Sequence, residues 1–213
     1  MIRCYYPICL GIGLSLALAS GVGASAAVDC GEPTPAPPWK IGDTWTTQDE
    51  QGEERTETLV GFEGWLARLE YIYPNRKTNI ALFFDSDLVL RKVIKRDGTV
   101  LERPGRSEWF YIGVKLIQFP LHAGKTWSVS YELDGRKTQV GYRVLACERI
   151  SVVAGEFSAL KLEATHTLVG GTWQGIAHEW FAPAAKRIVR GTYQRPNFSD
   201  RARDWEILRY RVK

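Results

Sequence analysis

The chain carries three histidines, His122, His166 and His178, and none stands in a spacing that specifies a reaction. His178-Glu179 is the most suggestive pair. A metalloprotease helix needs His-Glu-x-x-His, with two imidazoles one turn apart on zinc and the Glu as base. Here Trp180-Phe181-Ala182 follows and brings no second histidine. On a strand, adjacent side chains point to opposite faces, so His178 and Glu179 share no ligand there. His166 lies on the apolar side of an alternating run, the ordinary place of a hydrogen-bonded core histidine, and His122 lies in a turn. Asp85-Ser86-Asp87 puts two carboxylates in one loop. Paired carboxylates hold calcium or cleave glycosidic bonds only with further oxygens or a set separation. A turn between strands uses Asp and Ser to bond its own backbone, and that is the simpler account. The mature chain has neither a Gly-x-Ser-x-Gly elbow nor a Gly-rich phosphate loop. We therefore expect no catalytic residue, no metal and no cofactor. A hydrolase using His166, His178 or Asp87 is the alternative.

Aromatic residues are the other candidates for a site. Of eight tryptophans, Trp45, Trp109, Trp127 and Trp205 recur in a repeat described below, as core anchors would. Trp39, Trp65, Trp173 and Trp180 have no such counterpart. Unmatched aromatics beside Gly170-Gly171-Thr172 could form a platform for a sugar ring or an acyl chain. The predicted lining is Trp173, Ile176, Trp180 and Phe181, joined by Phe110, Ile112 and Val114 from the first half. Ordinary strand packing is the competing account of the same residues.

Strands must position these groups. Trp127, Val129, Tyr131 and Leu133 alternate with Ser128, Ser130 and Glu132. Trp65 to Tyr73 and Leu160 to Leu168 alternate in the same way. Period two marks half-buried antiparallel strands. Turn pairs separate them: Pro74-Asn75, Asp97-Gly98, Pro104-Gly105, Asp134-Gly135 and Gly170-Gly171. The fold class is all-β. Phe110 to Phe119 breaks the pattern, being apolar on both sides. Such a segment is buried on both faces or lines a cavity.

The chain also repeats itself. Gly42-Asp43-Thr44-Trp45 returns as Gly124-Lys125-Thr126-Trp127, and Ala67-Arg68-Leu69-Glu70 as Leu160-Lys161-Leu162-Glu163. Arg91 to Lys95 answers Ala185 to Arg190, and Trp109 answers Trp205. The spacing widens chiefly between Trp127 and Glu163, which predicts a longer hairpin in the second copy. We expect a first β unit over 39–118 and a second over 119–213. Together they form an antiparallel, incompletely closed barrel or sandwich, as one composite domain.

Phe119-Pro120-Leu121-His122-Ala123-Gly124-Lys125-Thr126-Trp127 resembles the opening of a module in exported bacterial proteins of unknown function. Val152-Val153-Ala154-Gly155-Glu156-Phe157, Trp180-Phe181-Ala182-Pro183 and Arg187-Ile188-Val189-Arg190 follow in the module's order. The resemblance covers about Phe119 to Val212 and implies an antiparallel, incompletely closed β-barrel in the bacterial envelope. Similar half-barrels carry lipids or lipoproteins. The family brings no catalytic residues, and this chain departs from it where Ala185 or Lys186 replaces a loop glycine.

The N-terminus reads as an export signal. Arg3, the apolar run Ile8 to Leu18 and Ala24-Ser25-Ala26 follow the order of a signal peptide, cleaved after Ala26 or Ala27. Gly11, Gly13, Ser15 and Ser20 interrupt the run, which argues against a membrane-spanning helix. A Pro-rich arm, 27–38, comes next. Asp29 stands where a lipoprotein signal wants a small residue, so Cys30 is not read as lipidated. Cys4 and Cys9 leave with the signal. Cys30 and Cys147 remain, either as a disulfide or as two unrelated thiols. The net charge of +4 is mixed along the chain, and the basic residues near the C-terminus are interspersed with Asp200, Asp204 and Glu206. That pattern excludes a nucleic-acid partner. The sequence thus predicts a periplasmic or secreted, non-catalytic envelope protein that binds an apolar or amphiphilic ligand in a concave sheet. Its partner is a lipid, a glycan or an envelope protein docked on a sheet edge.

Overall fold

The computed structural model describes residues 30, 33–74, 78–107, 110–133, 135–172, 174–194 and 204–213. The expected signal peptide over 1–26, together with Asn75, Trp109, Asp134 and Trp173, lies outside them. Two antiparallel meanders make up the chain. The first is β1 (Thr44–Asp49), β2 (Glu54–Glu63), β3 (Leu66–Tyr73), β4 (Thr78–Phe84), β5 (Leu90–Ile94) and β6 (Val100–Leu101). A short hairpin follows, β7 (Gly105–Ser107) and β8 (Phe110–Ile112). The second meander is β9 (Thr126–Leu133), β10 (Arg136–Val152), β11 (Gly155–Leu168), β12 (Gln174–Ala182), β13 (Arg187–Gln194) and β14 (Trp205–Arg211). β10 and β11 form the longest hairpin, at 17 and 14 residues against 10 and 8 for β2 and β3.

Both meanders lie in one 12-stranded sheet, ordered β6-β5-β4-β3-β2-β1-β14-β13-β12-β11-β10-β9. Every ladder is antiparallel, and each meander pairs sequence neighbours only. A single ladder joins them, from Thr44↔Arg211 to Asp49↔Trp205 between β1 and β14. β6 and β9 are left as edges, so the sheet curls without closing. The fold is all-β, an incompletely closed barrel. No helix of the described residues is long and apolar enough to cross a membrane.

Bulges bend this sheet. The register shifts between Thr46 and Thr47, Leu59 and Gly61, Phe83 and Phe84, Val144 and Ala146, and Trp180 and Phe181. Each extra residue sharpens the local twist. The far end of the second meander is consequently covered on both faces. Leu160 and Phe181 enter one core cluster, while their neighbours Ala159, Trp180 and Ala182 enter another with Trp45, Leu59 and Leu69. At the hairpin tip the Ala154 N–H donates to the Ile207 carbonyl of β14, 3.1 Å away.

The segment Phe110 to Phe119 is only briefly a strand. After Ile112 it runs through the interior as an irregular strap. Ile112 (1% exposed) packs in the largest cluster with Leu69, Leu82 and Val93. Val114 joins Tyr131, Val140, Tyr142, Ala164 and Ala177 in a second, and Ile117 and Phe119 pack on Leu121, Leu160 and Phe181 in a third. Its two-sided apolarity therefore reflects a chain surrounded by sheet rather than a strand within one. Backbone groups tie it down: the Gly113 N–H donates to the Leu90 carbonyl at 2.7 Å, and Trp127 Nε1 donates to the Leu116 carbonyl at 3.3 Å. Gly113 has φ +71°, and a side chain there would come within 3.3 Å of Pro104 Cβ.

Two further ties hold the ends. Cys30 and Cys147 form a disulfide, with Cα atoms 5.9 Å apart, that fastens the Pro-rich arm to β10. Thr34 and Leu121 exchange backbone hydrogen bonds beside it. Lys186 follows the short 3-10 turn Pro183–Ala185 with φ +57°, the left-handed backbone that glycine adopts without cost. Its Nζ lies 3.1 Å from Oδ2 of the fully buried Asp43 and also donates to the carbonyls of Pro38 and Lys213. Lys186 thereby clasps the arm, β1 and the C-terminus together. Burial alone would raise the Asp43 pKa, but the amides of Lys40 and Lys213 and the Lys186 ammonium together hold it below the ordinary carboxylate range.

Two outcomes follow for stability. Ile112→Ala should cost about 2–5 kcal/mol in urea unfolding, whereas Val60→Ala on the exposed side of β2 should stay within about 0.5 kcal/mol. Lys186→Met should cost about 3 kcal/mol at pH 7, because it strands a buried carboxylate. The Asp43 contribution exists above the ordinary carboxylate range and is lost as pH falls through the lowered pKa. The gap between Lys186→Met and the wild type should therefore narrow below about pH 4.

Candidate functional site

Of the predicted lining, Trp173 lies outside the described residues, and the other six have a definite place. Ile112, Trp180 and the half-buried Phe110 belong to the largest core cluster, Val114 to the second and Phe181 to the third. The Trp180 ring lies between Lys161 Nζ at 5.1 Å and Arg190 Cζ at 5.5 Å, and its Nε1 donates to Glu148. Phe181 meets Phe119 edge to face with centroids 5.4 Å apart. Ile176 is half-buried on the face of β12 opposite Ala177. These residues do not converge on one open surface.

The groups considered for chemistry are held in local pairs. His178 Nε2 lies 3.3 Å from Glu163 Oε2, its cross-strand neighbour. Asp85 accepts from the amides of Asp87 and Val89, each at 2.9 Å, and pairs with Arg91. That is the self-bonded turn its sequence suggests. Asp87 pairs with Lys115 at 2.8 Å. His166 is half-buried opposite Val140 and Gly175, and His122 is exposed.

A different group gathers on the concave face. Register carries that face from Leu162 of β11 to Glu179, Gly191, Trp205 and Asp49. One row over, it runs Trp127, Tyr142, Ala164, Ala177 and Tyr193. The Trp205 indole folds over Gly191 so closely that any Cβ there would collide with it. From β2, Arg55 points onto the same face. Its Nε donates to Thr47 Oγ1 at 2.7 Å, and its guanidinium sits 5.0 Å over the Trp205 ring and 6.0 Å from the Tyr71 ring. The Tyr71 and Tyr73 hydroxyls meet at 3.2 Å. Arg55, Tyr73, Glu179, Tyr193 and Trp205 are each half-buried rather than fully buried. At the open seam, a cleft of about 400 Å³ is walled by the strap at Gly113, Val114 and Lys115 and by β9 from Val129 to Glu132. Val114 and Tyr131 belong both to that wall and to the Tyr142 cluster.

The electrostatics of this face are unusual for a barrel core. Burial raises the Glu179 pKa to about 7, with no basic partner to oppose it. Burial likewise raises Tyr142 and Tyr71, and pushes Tyr193 up to about 12. Arg55 would be lowered by burial, but Tyr71, Glu57, Tyr73 and Tyr193 more than offset this and keep it charged. Sequence reasoning missed this set. Its signal was Glu179 and Arg55 sharing strand faces with buried apolar residues, Ala177 and Leu59 respectively.

No family model matches the chain, and no curated protein matches it. Among solved structures it is similar to a candidate lipoprotein from Parabacteroides distasonis, with a TM-score of 0.41, covering 85% of this chain and 100% of that one. An exported-protein candidate with a YmcC-like fold from Bacteroides fragilis gives 0.43, over 84% and 99%. The hypothetical lipoprotein YmcC from Escherichia coli gives 0.44, over 83% and 88%. Identity is 13% in each case, too low to carry a function across.

Glu179 makes a checkable contribution to pH dependence. A carboxyl whose folded pKa is raised binds its proton more tightly in the native state, so it stabilises less as pH rises from about 4.5 through about 7. Glu179→Gln removes that loss. Relative to wild type, it should gain roughly 2 kcal/mol between pH 5 and pH 8 in chemical denaturation.

Proposed function

We propose that the chain is an exported, non-catalytic protein of the bacterial envelope, periplasmic or secreted, that holds an amphiphilic ligand against the concave face of its open barrel. The observation carrying this reading is the half-buried group of Arg55, Tyr73, Glu179, Tyr193 and Trp205. A protein that needs only stability fills such a space with aliphatic side chains. Aromatic walls with a few ionisable groups are instead the make-up of ligand pockets. A cleft of about 400 Å³ opens beside the strap at the seam. Export rests on the signal-like N-terminus and accords with the disulfide between Cys30 and Cys147.

A second reading, docking of an envelope protein, has one observation behind it. β9 pairs with β10 alone and leaves its other side without a ladder among the described residues. Such an edge can accept a strand from another chain. The hydrolase alternative gains less, since His166, His178 and Asp87 sit on separate elements.

Native mass spectrometry of the mature protein from the periplasm, with an organic extract analysed alongside, tests the proposal. We expect a stoichiometric lipid or glycan adduct. A clean apo mass with no extractable ligand counts against it, and a co-purifying protein favours the β9 edge.

A further inference from the structure

We infer that the ligand is an anionic amphiphile whose carboxylate or phosphate head pairs with Arg55. This rests on the binding function proposed above and adds the chemistry of the head group. The argument starts from a charge imbalance. Glu57 is buried on β2 opposite Trp45 and Tyr71 and forms an ion pair with Arg187. Arg55, two residues away on the same face, feels the same carboxylate. Glu57 is committed to Arg187, and no ion pair among the described residues gives Arg55 a carboxylate of its own.

Surroundings reinforce the point. A guanidinium presents a planar fork of N–H donors that matches an oxyanion. Here Nε is committed to Thr47, and the plane rests over Trp205, which fixes its direction. Tyr71 and Tyr73 stand beside it as further hydrogen-bonding groups. A half-buried cation is costly unless an anion or water meets it. Glu179, on the same face, does not take that role, since it forms no ion pair with Arg55. Asp204, whose Oδ1 accepts the Tyr193 amide at 2.9 Å, forms no ion pair with Arg55 either.

Isothermal titration of the disulfide-bonded mature protein tests this with four decyl compounds: decanoate, decyl phosphate, decanol and decyltrimethylammonium. Either anion, or both, should bind at least tenfold more tightly than the alcohol and the cation. Arg55→Gln should remove that preference while leaving decanol affinity within about twofold, and Arg55→Lys should keep part of it. The head-group comparison on the wild type stands even if a variant fails to fold. Equal binding of decanol and the anions overturns the inference but leaves the proposed function intact. Absence of binding by all four overturns both. Acetate or inorganic phosphate binding as tightly as its decyl counterpart overturns the amphiphile in favour of a small free anion.

Discussion

An open sheet must bury its concave face without closing on itself, and the strap from Gly113 to Phe119 is what makes that work here. Twelve strands joined through one central ladder leave two edges, β6 and β9, and an interior that solvent would otherwise flood. The strap fills this space from within. Ile112, Val114 and Ile117 to Phe119 reach three separate clusters, so one short segment links the first meander, the second meander and the arm. Core clusters coupled through one segment open together, and the largest cluster already holds residues of both meanders.

The two junctions between the meanders are unequal. At β1 and β14, backbone pairing runs unbroken apart from one bulge, and the Lys186–Asp43 clasp lies at its end. Across the opposite seam, the hairpin of β7 and β8 lies against β9 and β5 with no ladder to either among the described residues. One junction is therefore fixed by a continuous ladder, the other by side-chain packing and single ties such as Gly113 to Leu90 and Lys115 to Asp87. Packing without a ladder opens at lower free energy, so a ligand passing to the interior would meet the least resistance beside the strap.

The interior itself divides by chemistry. Around Trp45, Leu59, Leu69 and Leu82 it is a dry core, in which the Trp45 Nε1 finds the Ala185 carbonyl at 2.7 Å. Around Tyr193 and Trp205 it keeps a cation and a carboxyl that do not neutralise one another. Such groups lower stability relative to an aliphatic filling. Their presence in a face otherwise shaped for packing is what leads to the proposed binding role.

Alternation and turn chemistry were enough to establish an all-β chain and the main hairpins, because period two and the Gly and Asp turn positions are local properties. Two cysteines in the mature chain narrowed the disulfide to one pair, yet only the approach of the arm to β10 brought them together. Other features depended on distant partners. Trp180 and Phe181 read as neighbours on one lining, but a bulge and coverage of both faces sent them to different clusters. Phe110 to Phe119 read as a strand, but its apolar sides face clusters on several elements rather than two sheet neighbours. Arg55 and Glu179 looked like ordinary polar positions, since alternation separates two faces without saying which one the barrel encloses. The sequence by itself determined the strands, their turns and their two-sidedness. Which side became the interior, and which charges were left there, was decided by the curl of the whole sheet, since only long-range pairing sets that curl.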